Sequence, residues 1–258
     1  MSGLPPAPAI AYGGHPDQVA NLHLPSEDGG PWPCVVLIHG GFWRVRWDRT
    51  LMTPLAIDLA RRGVAAWNIE YRRVGQPGGG WPGTLGDVAA AVDQLREIET
   101  VDTSRVATCG HSAGGHLALW AAARPRLPVG AVGAEPSVVP IATVSQAGVA
   151  NLHAAAMANR GTGAVQALLG GEPEQFAERY ATASPASLVP LGVEQLLVHG
   201  DADDVVTVAQ SEEYGRAAAA AGDTVTVRVL PGVDHYQVVD VDHAAWADVA
   251  VWLLKSLA

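Results

Sequence analysis

The chain has 258 residues, 48% of them hydrophobic and 16% charged, with 29 Gly, 18 Pro and a formal net charge of −10. This composition excludes a disordered polar chain, a collagen-like repeat and a disulfide miniprotein, and the length lets roughly 70–75% of the unfolded chain's surface be buried. The excess of acidic residues, 26 against 16 basic ones, argues against nucleic acid or an anionic membrane as partner.

Met1 to Pro16 has neither a basic stretch nor an apolar run of the kind a secretory signal needs, and no apolar run reaches the roughly 18 residues of a membrane span. A soluble, cytoplasmic protein is the expectation. Cys34 and Cys109 each sit in an apolar run and read as small buried residues, not as a bridge.

In chain order, Gln18–Leu24 reads as an antiparallel edge strand. Apolar runs at Cys34–Ile38, Val64–Ile69, Val106–Cys109, Ile141–Val144, Gln195–Val198 and Thr224–Leu230 then read as strands, several apolar throughout, as strands covered on both faces are. Helical stripes lie between and after them: Leu51, Leu55 and Leu59; Leu85, Val88, Val92 and Leu95; Trp246, Val249, Leu253 and Leu257. Asp48 and Thr84 read as helix N-caps, Gly63 and Gly222 as C-terminal stops. Such alternation predicts an α/β fold, a mostly parallel sheet with helices on both faces. Residues 150–187 interrupt it and read as a small cap inserted in a single domain spanning 1–258. In such sheets ligands bind at the carboxyl ends of the strands.

Three strand ends carry reactive groups. Gly110-His111-Ser112-Ala113-Gly114-Gly115 is G-x-S-x-G in strand–turn–helix context, with a helix expected near Gly115. The sharp turn presents the Ser112 hydroxyl and crowds the residues two before and two after it, which must lack a Cβ. A serine is a weak nucleophile without a base. His235, after the last strand, supplies an imidazole, and the loop His199-Gly200-Asp201-Ala202-Asp203-Asp204 supplies a carboxylate. The order Ser112, Asp203, His235 suits a mid-sheet nucleophile with acid and base from later strand ends. Asp203 is preferred. Asp201 follows the strand closely, Asp204 suits solvent or a helix cap, and Asp234 is adjacent to His235 in sequence and badly placed to orient it.

His39-Gly40-Gly41-Phe42-Trp43 follows the first parallel strand. Its glycines let backbone N–H groups turn toward a developing oxyanion, and Gly41, Phe42 and Ala113 are the expected donors. His39 is expected to fix its own loop, His111 and His116 to be packed or hydrogen-bonded, and His15, His23, His153 and His243 to lie at the surface. Trp43, Trp81 and Tyr236 are candidate pocket aromatics, and Gly78–Gly80 a loop bordering the pocket. The Asp201/Asp203/Asp204 cluster lacks the spacing of a calcium loop, so no metal is expected.

Together HGGFW (39–43), GHSAGG (110–115), HGDADDVV (199–206) and GVDHY (232–236) resemble the α/β-hydrolases of the esterase/lipase type, near the hormone-sensitive-lipase and kynurenine-formamidase branches. The resemblance covers about residues 15–258. It implies an eight-stranded sheet, a Ser-Asp-His triad and no cofactor. The HGG-aromatic-Trp form looks most like the formamidase branch, where the aromatic is usually Tyr; Phe42 departs from it. The expected activity is hydrolysis of small to medium acyl or aryl carboxylic esters, with an arylformamidase acting on a small-molecule amide as the alternative. A non-catalytic binding module on this fold is the remaining reading.

Overall fold

A computed structural model describes residues 4, 7–158 and 163–258. Its eight strands form one sheet in the order β1-β2-β4-β3-β5-β6-β7-β8. They are β1 (Ala9–Ala11), β2 (Val19–His23), β3 (Trp32–Ile38), β4 (Ala65–Ile69), β5 (Val101–His111), β6 (Ala142–Gln146), β7 (Glu194–Gly200) and β8 (Val225–Leu230). β2 pairs antiparallel with both β1 and β4, and all the other pairings are parallel. This is the mostly parallel architecture that the alternation and the resemblance both imply.

Period-two alternation decides which helix covers which face. Along β3, Cys34, Val36 and Ile38 join a core with α2 (Gly83–Asp93) and α3 (Ala113–Ala123). Val35 and Leu37 point the other way, into a core closed by α1 (Thr53–Arg61) and α8 (Ala244–Ser256). All three helical stripes face these cores, with Leu51 at the rim. Buried indoles stitch the layers and each N–H finds an acceptor: Trp67 donates to the Ala91 carbonyl at 2.8 Å, Trp246 to Asp58 at 2.7 Å and Trp120 to the Thr182 carbonyl at 2.9 Å. Both cysteines are buried and free.

The remaining helices lie between β6 and β8. Three short ones, α4 (Leu152–Met157), α5 (Ala164–Leu169) and α6 (Ala177–Ala183), fill the interrupted stretch; residues 159–162 of the expected cap lie outside the described residues. The longer α7 (Ala209–Ala220) joins β7 to β8.

Several local expectations need correction. The strand near Gln18–Leu24 is antiparallel but is not the edge, because the three-residue β1 pairs outside it. Thr84 does not cap a helix. It lies inside the first turn of α2, where its hydroxyl accepts from the Gly80 N–H and donates to the Arg72 carbonyl, tying down the Gly78–Gly80 loop. His23 is buried on β2, and His243 caps α8 by accepting from the Ala245 N–H. Asp48 does cap the short turn before α1, and Gly63 and Gly222 follow helix ends at φ of +89° and +100°.

At Gly200, where β7 ends, a Cβ would stand 1.9 Å from the Val233 carbonyl oxygen. The loops after β7 and β8 touch there, backbone to backbone. Gly86, inside α2, has open space around it. The two positions should therefore respond oppositely to alanine. Gly200→Ala is expected to destabilise by about 1–3 kcal/mol through overpacking, and Gly86→Ala to stabilise by about 1 kcal/mol through helix propensity. Urea denaturation of both variants checks the signs.

Candidate active site

Ser112 joins β5 directly to α3, at φ 55° and ψ −118°, a strained conformation for a residue with a Cβ. The helix thus starts at Ala113, two residues before the expected position. A Cβ at Gly110 would lie 2.0 Å from the Gly114 carbonyl oxygen, so the expected crowding around the serine is present. Gly114 itself is pressed against β3, where a Cβ would meet the Ile38 carbonyl oxygen at 2.0 Å. The turn is pinned from its other side by the Ser112 N–H donating to the Gln146 carbonyl at the end of β6 (2.8 Å).

The loop after β3 lies against this turn. A Cβ at Gly40 would come within 3.0 Å of the Ser112 Cβ. Gly41, Phe42 and Trp43 all take positive φ (119°, 58° and 56°), which turns the backbone sharply. Among the described residues, the N–H groups of Gly41, Phe42 and Ala113 have no protein acceptor.

His39 fixes this loop as expected, its Nδ1 2.7 Å from the Gly40 carbonyl oxygen. Sequence reasoning missed what stands behind it. The His39 Nε2 lies 2.7 Å from the buried Glu70 carboxylate, and the ring stacks on Tyr71 with centroids 4.4 Å apart. Arg73 lies 3.3 Å from Glu70, and the Arg49 N–H donates to it. Burial would raise the Glu70 carboxyl, but the His39 contact and the Arg73 charge outweigh that and hold it below its ordinary range.

On the opposite flank, His235 Nδ1 lies 2.7 Å from Asp203 Oδ2. Asp203 also accepts the Val205 and Val206 N–H groups on Oδ1, both at 2.8 Å, and lies 3.2 Å from His199. Burial alone would push this carboxyl up. Its contacts with His199 and His235 prevail and keep it well below the usual carboxylate range. The competing acids are engaged elsewhere or exposed. Asp201 accepts the Gly232 N–H at 2.6 Å, Asp234 accepts the Tyr236 and Gln237 N–H groups, and Asp204 faces solvent.

His111 links the serine turn to the His235 loop. Its Nε2 donates to the His235 carbonyl at 2.8 Å, leaving Nδ1 buried without a partner. The two rings are 4.6 Å apart. Burial, then the neighbouring His235, lowers the His111 pKa to about 3. His116 is held neutral by similar logic: Nδ1 accepts the Trp43 indole N–H at 3.2 Å and Nε2 donates to the Ala183 carbonyl. Burial lowers its pKa to about 4.

Beside Ser112 opens a small, largely apolar pocket of about 50 Å³. Phe42, Trp43 and Ala113 form one wall, Val149, Ala155 and Val165 another, and Val205, Val206 and Gln210 a third. Of the three aromatics expected there, Trp43 lines it. Trp81 does not; it packs on the core, and its backbone N–H donates to the Leu168 carbonyl at 2.7 Å, which docks the glycine loop on α5. Tyr236 stands outside, half exposed, beside the His235 ring. The alanines and valines of the other walls carry no chemical signal in sequence; only Val205 and Val206 fall inside a motif quoted above.

Both buried imidazoles make folding sensitive to acid. With pKa values near 3 and 4 in the folded state and about 6.5 unfolded, the unfolded chain binds more protons below pH 6.5. Their stabilisation is fully present above pH 6.5 and falls by roughly 1 kcal/mol per ring per pH unit beneath it. The lowered Asp203 carboxyl adds to the loss below about pH 4. Urea midpoints at pH 7.5, 6 and 5 should fall progressively. In His116→Gln, whose amide can accept from Trp43 and donate to Ala183, the slope should be shallower. A midpoint unchanged down to pH 5 contradicts the assignment.

Comparison with known proteins fits this architecture. A family model described as BD-FAE matches residues 20–217. Esterase LipQ of Mycobacterium tuberculosis (strain ATCC 25618 / H37Rv) is 28% identical over 79% of the chain and 50% of its own length, and a kynurenine formamidase of Salmo salar is 24% identical over 90% and 75%. A probable isoprenylcysteine alpha-carbonyl methylesterase of Arabidopsis thaliana, ICMEL2, is 30% identical over 42% of the chain, a match that spans only 26% of that relative. Among solved structures, a truncated carbohydrate esterase from gut microbiota superposes with a TM-score of 0.83 at 22% identity, covering 96% of this chain and 94% of its own. Esterase B from Lactobacillus rhamnosis gives 0.82 at 22%, covering 96% and 83%. These likenesses show the fold. With an eight-stranded α/β-hydrolase sheet and a family match across most of its length, the chain belongs to the BD-FAE family.

Proposed function

We propose that this protein is a serine hydrolase that cleaves carboxylic esters of small to medium acyl or aryl groups through an acyl-enzyme. The observation that carries the reading is the 2.7 Å contact between His235 and Asp203, in a loop docked onto the residue next to Ser112. Asp203 holds the imidazole with Nδ1 protonated, leaving Nε2 free to take the Ser112 proton as the hydroxyl attacks the ester carbonyl. The N–H groups of Gly41, Phe42 and Ala113 receive the negative charge that develops on the carbonyl oxygen. His235 then gives its proton to the departing alcohol, and water, activated by the same imidazole, releases the acid.

In this reading the apolar pocket receives the acyl group, and the helices between residues 150 and 187 act as its cap. A volume near 50 Å³ favours short acyl chains. A second reading, hydrolysis of an N-formyl aryl amide, draws on the HGG-Phe-Trp loop and on the likeness to kynurenine formamidase along 90% of the chain. A formyl group would fit the same pocket.

The test is labelling by a fluorophosphonate probe, together with rates on p-nitrophenyl acetate, butyrate and octanoate and on N-formylkynurenine. Wild type should label and Ser112→Ala should not. Ser112→Ala or His235→Ala should lower kcat by about 10⁴–10⁶ while the protein stays folded. Asp203→Asn should cost about 10⁴ and Asp201→Asn far less. A folded wild type that resists labelling leaves only the non-catalytic reading. Faster turnover of N-formylkynurenine than of any ester selects the formamidase.

Pocket size has its own consequence. Val165→Phe fills part of the wall contributed by α5 and should lower kcat/KM for butyrate about tenfold relative to acetate. An unchanged acetate-to-butyrate ratio would put the acyl group elsewhere.

A further inference from the structure

We propose that Trp47 and Tyr236 form a binding shelf for the alcohol half of the substrate, and that this half carries a six-membered ring. The proposal rests on the serine-hydrolase reading above. In that reading the leaving oxygen is protonated by His235, so the departing alcohol has to lie beside this imidazole. The acyl pocket, among Phe42, Trp43 and Val165, is lined by neither Trp47 nor Tyr236.

What stands beside His235 is aromatic and open. The Tyr236 ring lies 5.3 Å from the His235 ring and 6.1 Å from that of His111. It faces the Trp47 indole at 6.3 Å with a tilt of 43°. Tyr236 is 48% exposed and Trp47 38%, whereas Trp43, Trp67, Trp120 and Trp246 are 2% exposed or less. The fold buries its large indoles wherever they serve the core, and these two rings are left facing solvent.

Their backbones are nevertheless held firmly. The Trp47 carbonyl accepts from the Arg73 guanidinium at 2.5 Å, and Arg73 is buried between Glu70 and Asp17. The Trp47 Cβ also packs beneath the oxyanion loop: a Cβ on Gly41 would come within 3.0 Å of it. The Tyr236 N–H is bonded to Asp234 at 2.8 Å. Fixed backbones with exposed ring faces make a preorganised surface, and aromatic faces take an aryl ring by stacking or the face of a saturated ring by C–H contact. An open-chain alcohol gains little from it.

The experiment compares kcat/KM on benzyl, cyclohexylmethyl and ethyl acetate. All three release primary alcohols of similar basicity, so their ratios report ring binding. In Trp47→Ala the benzyl-to-ethyl ratio should fall about tenfold, and Trp47→Phe should restore most of it. A parallel fall for cyclohexylmethyl acetate identifies a ring face of either kind, and a fall for benzyl acetate alone an aryl ring. Equal losses on all three esters, or unchanged ratios, overturn the shelf. Fluorophosphonate labelling of wild type separates the two levels: a labelled enzyme with unchanged ratios loses only the shelf, and an unlabelled one loses the catalytic reading and the shelf together.

Discussion

The site depends on how closely three stretches of backbone approach one another at the carboxyl edge of the sheet. The ends of β3, β5 and β6 meet around Ser112 with no space for side chains at Gly40, Gly110, Gly114 or Gly115. The serine's left-handed conformation is costly in isolation, of order 1–3 kcal/mol, and persists because these contacts over-determine it. That strain puts the hydroxyl at a pocket wall and starts α3 one residue later, so the Ala113 N–H is left without an intrahelical partner. Close packing and chemical presentation are one constraint.

Electrostatics complete what packing begins. Two flanks converge on the serine, and each is organised by a buried carboxylate. Asp203 is gripped by two backbone N–H groups, His199 and His235, which keeps it ionised despite its burial. Glu70 is gripped by His39, Arg73 and the Arg49 N–H, and it steadies the loop that carries Gly41 and Phe42. A buried carboxylate persists only when so surrounded, since an unpaired one in an apolar interior would be neutralised. Between the flanks, His111 and His116 stay neutral and serve as connectors, one joining the serine turn to the His235 loop, the other joining the Trp43 pocket wall to α6. Ser112, Asp203 and His235 thus inherit their positions from the residues packed around them.

Sequence alone determined the sheet, its helical faces and the residue types able to carry nucleophilic chemistry. Those signals are local: period-two and period-3.6 apolar patterns, a G-x-S-x-G turn, and acid and imidazole placed after later strands. Tertiary structure decided everything that depends on distant segments meeting. It brought Asp203, rather than Asp201 or Asp234, within 2.7 Å of the His235 ring, while those two accept N–H groups of nearby loops. It placed Glu70 behind His39 across 31 residues, and it turned Thr84 from an apparent cap into a tie for a glycine loop. It also sorted the aromatics, with Trp43 in the pocket, Trp81 against the core, and Tyr236 paired with Trp47 outside. The physical reason is that a backbone pattern is set by neighbours in the chain, whereas a side chain's partner is set by whichever surface the folded sheet brings within hydrogen-bond or van der Waals reach.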